Sequence, residues 1–299
     1  MKELILGTRG SKLALAQSGH VATALEELHG IPVRLQVFKT RGDLITDRPL
    51  PEVGGKGLFT AELEEALREG VIHVAVHSLK DLPTEDAEGL VVAAHPPRVD
   101  PRDALVGKRL DELPQGAVVG TGSARRGVQL KALRPDLEIR GIRGNVDTRI
   151  AKMERGDYDA VVLACAGLER LGLGWTQALS VEQCVPATGQ GALGVQCAAE
   201  GPARPLIEAL DDPETRLRVD LERAFLESLG GGCSIPAGCH AWLVGEELHA
   251  VAMLADPEGN IYRAQAQGEA EDAQEMGGAL AEQLALQAGM EEVEDEPVG

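Results

Sequence analysis

The chain has 299 residues, 43% apolar and 26% charged, with a formal net charge of -19. That length allows two or three packed domains, and the acidic total argues against non-specific binding to nucleic acid or an anionic membrane. Aromatic residues make up only 2% of it, so the cores must be built from Leu, Val, Ile and Ala. No apolar run reaches the ~18 residues that span a bilayer. The start, Met1 to Gly7, has no secretory pattern, and the five cysteines are odd in number and scattered. Together these predict a reduced, cytoplasmic protein with no membrane partner.

In chain order, residues 4–6 read as a strand and 7–10 as a turn. Ser11 can cap a helix running to about Leu28, on the helical spacing of Leu13, Ala16, His20 and Ala24. Residues 33–38 read as a strand. Residues 40–57 are rich in Gly, Pro and charge without period, as in a functional or mobile loop. A helix is predicted over 59–68 and strands over 71–76 and 90–94. His95-Pro96-Pro97 then breaks the chain. A second set follows, with strands over 117–120, 138–140 and 160–163 and helices over 124–133, 146–155 and 166–171. Alternation of this kind implies a parallel sheet with crossover helices. Residues 185–192 form a second Gly/Pro-rich crossing, and 193–197 read as a strand returning to the first sheet. Beyond a helix over 215–229 come Gly230, Gly231 and Gly232. An antiparallel meander follows (241–244, 248–254, 261–267), then a helix over about 272–288 and an acidic tail. The expected domains are 1–95 with 191–210, 96–190, and 211–299.

Nine basic residues fall between Thr121 and Arg155 against four acids, inside a strongly acidic chain. Such a window needs an anionic partner or dense internal pairing. Arginine grips a carboxylate or phosphate with two parallel hydrogen bonds. In Gly120-Thr121-Gly122-Ser123-Ala124-Arg125-Arg126 the glycines sit where a strand hands over to a helix. There free N–H groups and the Thr121 and Ser123 hydroxyls can cradle an anion. The alternative is a capped helix with surface arginines. The run matches neither the dinucleotide fingerprint nor the Walker pattern. Arg140, Arg143, Asn145 and Arg149 follow at the next junction, and Arg9 with Ser11 occupies the equivalent place in the first set, near Lys80 and Asp81. Open α/β sheets bind ligands at such edges, so two lobes closing on one anion is the expectation.

Asp81 is a lone carboxylate among these cations; it either stabilises a cation or moves protons on the substrate, or it serves as a cap or salt-bridge partner. Cys233 follows three glycines, which leaves its thiol open to close approach, as covalent attachment requires; an inert loop thiol is the alternative. Cys239-His240 lacks a second cluster for zinc. Cys165, Cys184 and Cys197 lie in apolar runs and read as core. His73 and His77 read as packing residues.

Together these segments resemble the porphobilinogen deaminase (hydroxymethylbilane synthase) family. The stretches are GTRGSKLALAQ from Gly7, VGGKGLFTAELEEAL from Val53, AVHSLKDLPT from Ala75 and GTGSARRGVQL from Gly120. They continue with IRGNVDTR from Ile142, ACAGLERLG from Ala164, GQGALGVQC from Gly189 and GGCSIPAG from Gly231. The resemblance spans nearly the whole chain in order. It implies an α/β fold: two domains like type-II periplasmic binding proteins plus a smaller C-terminal α/β domain. It implies a dipyrromethane cofactor joined by thioether to Cys233. The implied transferase adds four porphobilinogen molecules, releasing ammonia each time, and water then frees linear hydroxymethylbilane for the next tetrapyrrole enzyme. Asp81 matches the catalytic aspartate. Ser78, Lys80, Thr121, Ser123, Arg125, Arg126 and Arg143 match cofactor contacts. Arg9, Ser11, Phe59, Arg149, Arg170 and Gln190 match substrate-binding positions, with Gln190 at a hinge. Lys56 is kept as a lid contact, with a solvated lid lysine as the near alternative. Glu52 departs from the basic residue many relatives carry. The family also suggests a monomer; hinging at the two crossings, 94–97 and 187–192, with 40–57 as a lid, is the expectation for how one site accommodates a growing chain.

Two rivals stand beside this reading. A non-catalytic solute-binding protein would share the bilobal architecture but have no use for Asp81 or Cys233. A nucleic-acid binder would use the arginine face, but the net charge and scarce aromatics oppose it.

Overall fold

A computed structural model describes residues 1–40, 42, 60–231 and 235–290. Strand β1 (Leu4–Arg9) runs past the expected end at residue 6. All six of its residues pair in parallel with β2 (Val33–Phe38), and this pairing overrides the turn propensity of Gly7-Thr8-Arg9. Helix α1 (Lys12–His29) starts where Ser11 Oγ accepts the Ala14 N–H at 3.2 Å, and it stops at Gly30, φ 63°. Its Val21, Ala22 and Leu25 close over Leu4, Leu6, Val74 and Val195.

Helix α2 (Ala61–Arg68) leads into β3 (Val74–Ser78). That strand begins later than expected because the Val71 and Ile72 N–H groups fold back onto the Ala66 carbonyl and close α2. Its buried run fits a central strand. A 3₁₀ turn, Leu79–Asp81, follows, then β4 (Leu90–Ala94).

The second set holds β5 (Asp103–Val106), β6 (Val118–Gly120), α3 (Ala124–Leu133), β7 (Glu138–Arg140) and α4 (Val146–Glu154). It continues with β8 (Ala160–Ala164), α5 (Cys165–Arg170) and β9 (Gln177–Ala178), before β10 (Leu193–Ala198). Strands β5 and β9 were not expected from the sequence. One sheet has the order β2-β1-β3-β10-β4 and the other β7-β6-β8-β5-β9. Strand β10 joins the first sheet, as its place after the second crossing implied. Both sheets are mixed, where alternation alone implied parallel ones. In each, three parallel strands are followed by an antiparallel one, β10 or β5, that the chain lays down directly after crossing from the other lobe. The two lobes therefore repeat one topology without a sequence repeat.

After a short α6 (Arg204–Glu208), helix α7 (Pro213–Ser228) is capped by Asp212, whose carboxylate accepts the Thr215 N–H at 2.7 Å. The antiparallel sheet β11 (Ala237–Val244), β12 (Glu247–Ala255) and β13 (Ile261–Gly268) is the expected meander, and α8 (Ala273–Gln287) follows it. Helices α7 and α8 cover one face of this sheet. Its other face, through Val251, Met253 and Ala255, packs on Val128 and Val185 of the second lobe. Gly238 permits this docking: a Cβ there would stand 2.5 Å from the Pro186 carbonyl and 2.9 Å from Arg125 Cδ.

Glu222, fully buried on α7, ties the three units together. It accepts Arg98 NH1 at 2.6 Å and NH2 at 3.0 Å from the first crossing, Gly189 N–H at 2.7 Å from the second, and Ala241 N–H at 2.9 Å from β11. Arg98 Nε also donates to the Gln190 carbonyl at 2.9 Å, joining the two crossings directly. Among the described residues no helix is long and apolar enough to cross a membrane.

Candidate active site

A crevice of ≈ 720 Å³ opens between the two lobes at the C-terminal ends of their parallel strands. Each wall is a strand-to-helix junction. Arg9, Ser11 and Lys12 come from β1–α1, and Ser78, Lys80 and Asp81 from the end of β3. Arg126 comes from α3, Arg143, Asn145 and Arg149 from β7–α4, and Arg170 from α5. The first turns of α1 and α4 also line it and bring the partial positive charge of helix N-termini. Among the described residues nine basic side chains line the crevice, namely Arg9, Lys12, Lys39, Lys80, Arg126, Arg143, Arg149, Lys152 and Arg170. They face two described carboxylates, Asp81 and Asp147. Asp147 is paired with Lys12 at 3.0 Å, from one lobe to the other.

This crowding has an electrostatic cost. Burial pushes Arg149 down to about 10, and Arg126 and Arg143 add to the depression while Asp81 opposes it. Burial also pushes Arg170 down to about 10, with Glu169 opposing. Lys80 falls to about 8, from burial first and then from Arg126, against the pull of Asp81 and Asp103. Cations held together in a half-buried space favour an incoming anion that would offset their repulsion. His77, at the same wall, is pushed down to about 4 by burial, against its hydrogen bond to Gln196, so it stays neutral at physiological pH.

Asp81 is exposed to the crevice and takes no hydrogen bond or ion pair from any described residue. It is thus neither a helix cap nor a salt-bridge partner there. Ser78 Oγ accepts from Gln17 Nε2 at 2.9 Å, and Ser11 caps α1. Arg149 Nε donates to the Gly144 carbonyl at 2.8 Å, and Arg170 NH2 to the Gly191 carbonyl at 2.7 Å. These backbone contacts fix the arginine stems while their remaining N–H groups stay available to a ligand.

Four sequence candidates stand behind the wall. Thr121 Oγ1 accepts the Ser123 N–H at 3.1 Å, and Ser123 Oγ accepts the Arg126 N–H at 3.4 Å, so both hydroxyls serve the helix start. Arg125 is buried, donating to Asp103 Oδ2 at 2.8 Å and to the Val185 carbonyl. Gln190 links the lobes: its Oε1 accepts from Lys80 Nζ at 3.2 Å and from Arg126 NH2 at 3.3 Å. Lys56, Phe59, Cys233 and Glu52 lie outside the described residues. Gly231, two positions before Cys233, borders Thr84, close in sequence to Asp81: a Cβ on Gly231 would be 3.2 Å from Thr84 Oγ1.

Sequence reasoning missed Gln17, Lys12 and Lys39 as lining residues, and above all Asp103. Asp103 is fully buried and accepts from Arg125, Arg126 and Gln190. Its signal was an acid opening the apolar run Ala104-Leu105-Val106 between Pro101 and Gly107.

Residues 4–203 match the family model described as porphobilinogen deaminase, dipyromethane cofactor binding domain, and residues 216–285 match the model of the porphobilinogen deaminase C-terminal domain. A protein named porphobilinogen deaminase from Roseiflexus castenholzii is 48% identical over 293 residues, covering 96% of each chain. One of the same name from Nitratidesulfovibrio vulgaris is 45% identical over 306 residues, covering 99% of this chain and 97% of its own. Among solved structures, the methionine-binding protein MetQ is similar at a TM-score of 0.41 and 14% identity, over 70% of this chain and 89% of that one.

Proposed function

The chain belongs to the porphobilinogen deaminase family, and from that premise we propose that it condenses four porphobilinogen molecules head to tail, releases ammonia at each addition, and yields linear hydroxymethylbilane for the next tetrapyrrole enzyme. The observation that carries this reading is the crevice itself: among the described residues nine cations line it beside one carboxylate, Asp81, that none of them pairs, in a chain of net charge -19. Porphobilinogen bears an acetate and a propionate on its ring, so every unit added brings two more carboxylates for those cations to hold.

The donor set fits a dipyrromethane, whose side chains are likewise carboxylates. When bound, that group supplies the primer to which the new units are joined. Lys80, Arg126, Arg143 and Ser78 would hold its carboxylates. Arg9, Ser11, Arg149 and Arg170 would hold those of the incoming substrate, and Cys233 would carry the thioether. Thr121, Ser123, Arg125 and Gln190 are assigned to cofactor and substrate by family resemblance. In this structure the Thr121 and Ser123 hydroxyls accept from backbone N–H groups and keep their O–H donors for a ligand, whereas the Gln190 amide is held by protein partners on both its atoms, so its direct contact requires exchanging those bonds. Phe59 and Lys56 are carried as substrate and lid positions on resemblance alone.

Asp81 would face the pyrrole N–H and stabilise the positive charge that develops on the substrate as ammonia leaves. One preorganised group of this kind is worth about 10²–10³ in rate. The arginines orient both reacting units and screen their mutual repulsion. Neutral His77 adds a polar group without competing for the carboxylates. The reading keeps a division into 1–95 with 191–210, 96–190 and 211–299, in a monomeric, cytoplasmic protein.

Incubation of the purified chain with porphobilinogen tests the function: stoichiometric ammonia release with a linear tetrapyrrole product is expected. Binding of porphobilinogen without ammonia release would leave a binding protein instead.

A further inference from the structure

Asp103 lies outside the crevice lining, yet Arg126 of the wall and two groups behind it, Arg125 and Gln190, converge on it. Its Oδ1 accepts from Arg126 Nε at 2.8 Å and Gln190 Nε2 at 2.9 Å, and its Oδ2 from Arg125 NH1 at 2.8 Å. The Gln190 amide can sit only one way round. Its Nε2 meets two acceptors, Asp103 and the Pro101 carbonyl at 2.7 Å, and its Oε1 meets two donors, Lys80 Nζ and Arg126 NH2. The result is a continuous relay from the buried carboxylate of the second lobe, through a side chain on the crossing, to a lysine of the first lobe.

We propose that Asp103 is the positioning residue of the anion-holding wall: it fixes Arg126 directly and, through the Gln190 amide, sets the place and charge of Lys80 across the lobe boundary. It touches neither substrate nor cofactor. Its two direct arginine partners differ in kind, since Arg125 is a buried structural cation and Arg126 reaches the crevice. One carboxylate against two guanidiniums leaves a net positive charge at the wall, so the relay holds the arginines in place without cancelling their attraction for a ligand. Lys80 senses the arrangement from several sides. Arg126 and Arg125 disfavour its charged form, and Asp81 and Asp103 favour it. Removing the Asp103 charge therefore makes Lys80 less basic. It also frees the Gln190 amide to turn its N–H₂ toward Lys80.

The value of this relay for pyrrole carboxylates rests on the function proposed above, but its test does not. The amine of Lys80 is titrated by competitive acetylation across pH in the purified full chain. The peptide bearing Lys80 is read by mass spectrometry, with exposed Lys108 as internal reference. Asp103→Asn is expected to lower the Lys80 midpoint by about one unit, seen as about a fivefold rise in its free-amine fraction at pH 7. Asp103→Glu, which keeps the charge, should stay near the parent midpoint. A merely structural role would lower the melting temperature of Asp103→Asn and leave the Lys80 midpoint in place, and that result overturns the proposal. If Asp103→Asn does not fold, Gln190→Met decides: a lowered Lys80 midpoint supports the relay, and an unchanged one refutes it. A fixed midpoint in a chain that still releases ammonia would sink the relay alone. A shifted midpoint in a chain that never does would sink only the function.

Discussion

Replacing Glu222 by Gln tests whether one buried ion pair holds the three units together. The Glu222 carboxylate binds Arg98 through two short bonds, with 1% and 0% of the two side chains exposed, and accepts two backbone N–H groups besides. A glutamine keeps the volume but strands the Arg98 cation and turns an N–H₂ toward donors. Breaking a buried pair from one side costs about 3–5 kcal/mol. The ionisation gives an independent figure. Burial raises the Glu222 pKa, but Arg98 and His240 outweigh it and bring it from 4.5 to about 2. A depression of between two and three units corresponds to about 3 kcal/mol. Because the folded value lies below the unfolded one, this stability is fully present above about pH 4.5 and fades as the pH falls from there through about 2. The assay is urea unfolding at pH 7 and at pH 3, with a double-mutant cycle through Arg98→Met. The single variant should lose about 3–5 kcal/mol at pH 7 and less at pH 3. The double variant should lose less than the sum of the singles, because no orphan charge remains. A loss under about 1 kcal/mol for Glu222→Gln, or strict additivity, would refute the reasoning.

The other predictions concern the crevice and the docking of the third unit. Asp81→Asn should lower kcat by about 10²–10³. It should leave thermal unfolding within about 0.5 kcal/mol, since no described residue bonds to that carboxylate; near-normal ammonia release would remove Asp81 from catalysis. Arg149→Leu should raise KM for porphobilinogen about tenfold to a hundredfold, the worth of a charged hydrogen bond of about 1.5–3 kcal/mol, and unchanged KM would place the substrate elsewhere. Gly238→Ala should cost about 1–3 kcal/mol, because its Cβ meets the Pro186 carbonyl; calorimetry showing no change would mean that the sheet does not dock this tightly.

The lobes were legible from periodic elements with clear ends: Ser11 and Gly30 bound α1, and Pro96-Pro97 and the Gly/Pro-rich stretch 185–192 marked the two crossings. Strand β5 was not legible, being four residues long and beginning with an acid after Pro101. Missing it hid both the antiparallel strand of the second sheet and the counter-ion of the arginine window. Arg125 and Arg126 read as equivalent ligands, because adjacency in sequence does not show that one side chain turns inward to an acid 22 residues earlier. Glu222 could have been found: with Thr215, Val219 and Phe225 it falls on the buried stripe of α7, where a carboxylate must have a partner. Asp81 and the crevice arginines were readable because their junctions follow strands whose ends are fixed by hydrophobic pattern. The sequence could not reveal that Gln190 joins Lys80 to Arg126, since that contact exists only when both lobes meet.

The most direct test of the account is the intact mass of the purified protein beside its Cys233→Ser variant. The account predicts a parent chain heavier by one dipyrromethane unit, stepwise heavier species on adding porphobilinogen, and a variant carrying neither. A parent chain at its unmodified mass that shows no additions with porphobilinogen would contradict it.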